Sequence, residues 1–106
     1  MDSPFRAGST GGDHRHALRK AVRLTGQLRD RGAAKFSVDI VDLSVTGFRA
    51  ETTARLYEGA LVWLTLPGMA GLEAKVAWVD NSYCGCAFTQ PLHPAVFDRI
   101  VAISER

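Results

Sequence analysis

The chain has 106 residues, 46% of them hydrophobic and 23% charged, which fits one folded domain and excludes both a disordered polymer and a miniprotein that needs disulfides or metal to hold it. Residues 1–35 carry eight Lys/Arg against three Asp/Glu, whereas residues 36–106 carry five against eight. A basic leading third on a mildly acidic body suits a small anionic partner held at one end, not the broad basic face that tracks a DNA or RNA backbone.

Residues 1–13 include Ser3, Pro4, Gly8, Ser9, Thr10, Gly11 and Gly12, too little apolar surface to offset the entropy of ordering, so they are expected to form a flexible tail ahead of a domain at 14–106. Met1-Asp2-Ser3-Pro4-Phe5-Arg6 has no secretory pattern, and no run of about 18 apolar residues occurs; a cytoplasmic location without membrane insertion is expected. From Val22 the chain alternates: Val22, Leu24, Gly26 and Leu28 on one face, Arg23, Thr25, Gln27 and Arg29 on the other. Asp30-Arg31-Gly32 reads as a turn, and Phe36, Val38, Ile40 and Val41 supply a second strand ending near Asp42. A short strand follows Gly47, and others are expected at 60–66, 72–79 and 83–88, separated by turn signals at Pro67-Gly68, Gly71 and Asp80-Asn81-Ser82. Short strands at these intervals predict an antiparallel barrel or sandwich in which consecutive neighbours pair. Pro94 opens a final amphipathic helix, with Val96, Phe97, Ile100, Val101 and Ile103 as its apolar stripe.

Two constellations carry possible chemistry. Arg15-His16-Ala17-Leu18-Arg19 places two guanidiniums four residues apart before the first strand, each a five-donor fork for a phosphate or a guanine edge. Asp42-Leu43-Ser44-Val45-Thr46-Gly47 lies between two strands. There Asp42 could accept from guanine N–H groups, Ser44 could hydrogen-bond in either direction, and Gly47 permits a left-handed turn or close ligand approach. Each also has a local reading, as a solvated basic arm and as a turn bonded to its own backbone.

Together, R-x-x-x-R followed by D-x-S-x-x-G resembles the PilZ family, and Gly47-Phe48-Arg49-Ala50, Gly59 and Gly85-Cys86-Ala87-Phe88 extend the likeness over about residues 14–104. The resemblance implies a mainly β fold, a six-stranded antiparallel barrel with a C-terminal α-helix, serving as a non-catalytic receptor for cyclic di-GMP with a downstream protein partner. By position, Arg15 and Arg19 would grip phosphate and the Hoogsteen edge of guanine, and Asp42, Ser44 and Gly47 would wrap the ligand from the barrel. His14 stands where many members have a further arginine or similar polar residue. Arg19 and Arg23 also satisfy R-x-x-x-R, but Arg23 falls on the outward face of the first strand, so the register starting at Arg15 is preferred.

Other functions find less support. Ser44 lies in no G-x-S-x-G elbow and has no signalled base. Asp39 and Asp42, three apart on an extended strand, should face opposite ways and form no acid/base dyad. His14, His16, His93, Cys84 and Cys86 lack zinc spacing, and the two cysteines read as reduced core thiols. Trp63, Trp78, Phe36 and Phe88 lie among aliphatic residues and read as core, not as a base-stacking platform. The standing alternative is an adaptor, the same barrel binding a protein without nucleotide.

Overall fold

The computed structural model describes residues 19–32 and 35–105. The alternating segments become β1 (Lys20–Asp30), β2 (Lys35–Leu43), β3 (Gly47–Glu51), β4 (Leu61–Thr65), β5 (Leu72–Asp80) and β6 (Tyr83–Phe88), followed by helix α1 (Pro94–Ser104). All pairings are antiparallel, and the sheet closes as a barrel in the order β1-β2-β3-β6-β5-β4. Closure comes from Gln27–Asp30 of β1 pairing with Val62–Thr65 of β4. Period-two burial explains the interior: Leu28, Val38, Ile40, Val62, Leu64, Ala74 and Val76 are almost wholly buried, while their polar neighbours face out.

Consecutive pairing fails at one place. β3 pairs with β6, not β4, because residues 52–60 form no tight turn and instead run past the β5–β6 hairpin. Thr52 N–H donates to the Ser82 carbonyl at 2.8 Å, Gly59 N–H donates to the Val76 carbonyl at 2.8 Å, and Leu56 is buried between these anchors. Gly59 itself has φ +87°, a conformation that favours glycine.

Three ladder irregularities re-aim side chains, between Ala21 and Leu24, between Ile40 and Asp42, and between Val76 and Trp78. The second overturns the expectation that Asp39 and Asp42 face opposite ways. Val41 is the extra residue there, so Asp42 turns to the outer face that Asp39 also occupies; Asp39 accepts from Thr25 Oγ1 at 3.1 Å, and Asp42 engages arginines instead. The third removes Trp78 from the core, leaving it 38% exposed, while Phe88 is buried and Trp63 is half-buried beneath Arg29, whose guanidinium carbon lies 5.4 Å from its ring centroid.

α1 begins where sequence chemistry allows. His93 is the N-cap, its Nδ1 accepting from Ala95 N–H at 3.0 Å, and Pro94 follows at a position needing no donor. Eleven residues are too few for a stable isolated helix. The helix lies against β1 with Phe97 and Ile100 buried in the barrel's core cluster.

Candidate functional site: a guanidinium–carboxylate cleft on the barrel wall

The bulges put one row of residues side by side on the outer wall: Ala21, Asp42, Arg49, Gly85 and Trp78, from β1, β2, β3, β6 and β5 in turn. Asp42 is its hub. Arg19 Nη1 donates to Asp42 Oδ1 at 2.8 Å, and Arg49 Nε lies 3.0 Å from Oδ2. The Asp42 side chain is only 13% exposed, whereas Arg19 and Arg49 are 62% and 48% exposed. A largely covered carboxylate thus holds two solvent-facing cations, and the trio carries a net positive charge.

The loop beside it is built by its own hydrogen bonds. Ser44 N–H donates to the Gly47 carbonyl at 2.9 Å. Ser44 Oγ accepts from Thr46 N–H at 3.2 Å, lies 3.0 Å from Thr46 Oγ1 and makes a long 3.4 Å contact to the Gly47 carbonyl. Ser44 is 3% exposed, so the local reading describes its hydroxyl: it shapes the loop. Gly47 does not adopt the left-handed conformation considered for it. It is required because β6 packs too close for a side chain; a Cβ would collide with the Cys86 carbonyl and sit 3.3 Å from Ala87 Cα. Gly85 has a similar role, its bare Cα being where the Trp78 indole lies.

Arg19, Ser44, Gly47, Arg49, Gly85 and Trp78 line a shallow cleft of about 160 Å³. Larger hollows of about 540 and 610 Å³ have no lining arginine, and two more of about 280 and 480 Å³ are lined by Arg29 and Arg31, but none of the four brings an arginine to a residue of the D-x-S-x-x-G loop. Of the residues expected at a site, Arg19, Asp42, Ser44 and Gly47 lie around this cleft, while Arg15 falls outside the described residues, as do residues 1–13 and His14. Arg23 is exposed and does not line it.

Arg49 and Trp78 are the residues the sequence reading missed. Period-two alternation from Gly47 puts Arg49 on the same wall and could have found it. Trp78 had no such signal, because its outward turn depends on the bulge.

Cys84 and Cys86 are free and point into the barrel. The hydrogen bond with Cys84, together with burial, pushes the Cys86 thiol far above the ordinary range, and the same bond lowers Cys84. Among the described residues no group of three or more His, Cys, Asp or Glu could hold a metal ion, and no helix is long and apolar enough to cross a membrane.

A closed six-stranded antiparallel barrel with a terminal helix defines the fold class, and its wall carries a cationic cleft. The PilZ domain family model matches residues 13–106, and the chain belongs to that family. Its fold is similar to the crystal structure of the PilZ domain of CeSA from a cellulose synthesizing bacterium, with a TM-score of 0.64 and 20% identity over 84% of this chain and 99% of that one. No curated protein sequence matched the chain.

Proposed function

We propose that the protein is a non-catalytic receptor for cyclic di-GMP, bound between the R-x-x-x-R arm and the D-x-S-x-x-G loop. The observation that carries this reading is the Arg19–Asp42–Arg49 cluster, which sets guanidinium donors beside a carboxylate acceptor at the rim of a cleft walled by Trp78. Phosphates and the O6 and N7 atoms of guanine accept from arginine, guanine N–H groups donate to a carboxylate, and an indole offers a stacking face. In this reading Arg15 and Arg19 grip the ligand from the arm, Asp42 takes guanine N–H groups, and Ser44 and Gly47 hold the loop in shape beneath them. The cleft is too small to enclose a cyclic dinucleotide, so in this reading part of the ligand lies outside it.

Among the described residues the site has binding groups without an organised nucleophile and base, which favours capture over turnover. Two free buried thiols suit a reducing compartment, and we place the receptor in the cytoplasm, where it would pass the signal to a protein partner. Calorimetric titration with cyclic di-GMP should show saturable binding, with GTP and cyclic GMP binding far more weakly and no linear dinucleotide accumulating. Absence of heat at high micromolar cyclic di-GMP would instead support the adaptor reading, and appearance of linear product would refute a non-catalytic role.

A further inference from the structure

Arg49 belongs to neither sequence motif, yet it is the arginine that the barrel itself fixes at the cleft. Arg19 reaches Asp42 from the residue before β1, whereas Arg49 stands within β3, paired across the ladders with Asp42 on one side and Gly85 on the other. Its Nε is committed to Asp42 Oδ2 at 3.0 Å. No hydrogen bond or ion pair among the described residues takes up its two terminal amino groups, and the side chain is half exposed along the cleft. A guanidinium held at one edge by a carboxylate is already oriented, so its remaining donors lose little freedom on meeting a ligand.

Resting on the cyclic di-GMP reading, we propose that Arg49 is a specificity-determining residue that reads guanine O6 while Asp42 reads the neighbouring N–H groups. The Watson–Crick edge of guanine presents the N2 amine, N1–H and O6 in sequence: two donors and one acceptor. Asp42 followed by Arg49 offers the complement, two acceptors and then donors. Asp42 Oδ1 accepts from Arg19 and Oδ2 is ion-paired with Arg49, and each oxygen keeps a lone-pair direction for the base. Adenine would set its exocyclic amine, a donor, against Arg49, also a donor. A mismatch of that kind leaves polar groups unpaired in a partly covered site, which is costly.

The test is a set of calorimetric titrations with cyclic di-GMP and cyclic di-AMP. Arg49→Ala should weaken cyclic di-GMP roughly tenfold or more and narrow the preference over cyclic di-AMP. The same substitution is then made in an Asp42→Asn background, where most of that loss should persist because Arg49 touches the base itself. If the loss disappears there, Arg49 only holds Asp42 in place and the proposal is overturned; unchanged affinity in Arg49→Ala overturns it too. Should Arg49→Ala lower the melting temperature, Arg49→Met, which retains most of the side-chain bulk without an N–H donor, carries the same expectations. A wild-type protein that binds no cyclic di-GMP would overturn the receptor reading and this inference together, whereas normal wild-type binding with an indifferent Arg49 overturns the inference alone.

Discussion

Gly47 shows how a motif residue can serve the fold first. With no Cβ, it lets β3 approach β6 until the Cys86 carbonyl fills the space a side chain would need. Gly47→Ala must push these paired backbones apart, and overpacking of this kind costs roughly 1–3 kcal/mol. Urea denaturation should show the midpoint falling, with cyclic di-GMP affinity reduced because Asp42 and Arg49 ride on the displaced hairpin; an unchanged midpoint would remove the packing role assigned to Gly47. The thiol pair gives a second expectation at this scale. The Cys86 thiol keeps its proton in the folded barrel, held by the hydrogen bond with Cys84 and by burial, while in the unfolded chain it ionises from about pH 8.5. Above that range the unfolded state binds fewer protons, so stability falls as pH rises. Above about pH 9, Cys86 adds a slope of up to about 1.4 kcal/mol per pH unit. Replacing both cysteines with Ala should flatten the fall of stability across that range; equal slopes would mean that Cys86 titrates freely.

At the scale of elements, the D-x-S-x-x-G loop is tied to the approach to the helix. Leu92 N–H donates to the Val45 carbonyl at 2.7 Å, and Phe88 N–H donates to the Thr46 carbonyl at 2.9 Å. The next residue after Leu92, His93, caps α1 through Nδ1. Losing that cap should cost about 1 kcal/mol, so His93→Ala should lower the melting temperature by several degrees; an unchanged melting curve would show that Pro94 and the Phe97–Ile100 packing suffice. The element boundaries also show what the sequence makes legible. Alternation outside the bulges marks β1, β2, β5 and β6 to within a few residues, and Pro94 with the three- and four-residue spacing marks α1, because local periodicity reports a buried face directly. Pairing is less local: β3 reaches β6 only because residues 52–60 pass the intervening hairpin, and no turn residue announces that path. Bulges are the other blind spot. One extra residue at Val41 and one near Ala77 reverse the facing of the strand residues beyond them, which turned Asp42 onto the outer wall and exposed Trp78.

For the molecule as a whole, charge and fold point the same way. Arg19, one of the cations of the basic leading third, meets Asp42 at the cleft. The site was legible to the extent that its groups sit in two short motifs, and less so where Arg49 and Trp78 arrive through barrel register. Binding of cyclic di-GMP at the Arg19–Asp42 corner is decided by three parallel calorimetric titrations: wild type, Arg19→Ala and Arg23→Ala, each first shown to melt normally. Loss of a charge-assisted contact should weaken Arg19→Ala roughly thirtyfold or more, while Arg23, exposed and away from the cleft lining, should change affinity by less than about fivefold. Wild-type affinity in Arg19→Ala, or abolished binding in Arg23→Ala, would move the binding site away from this corner.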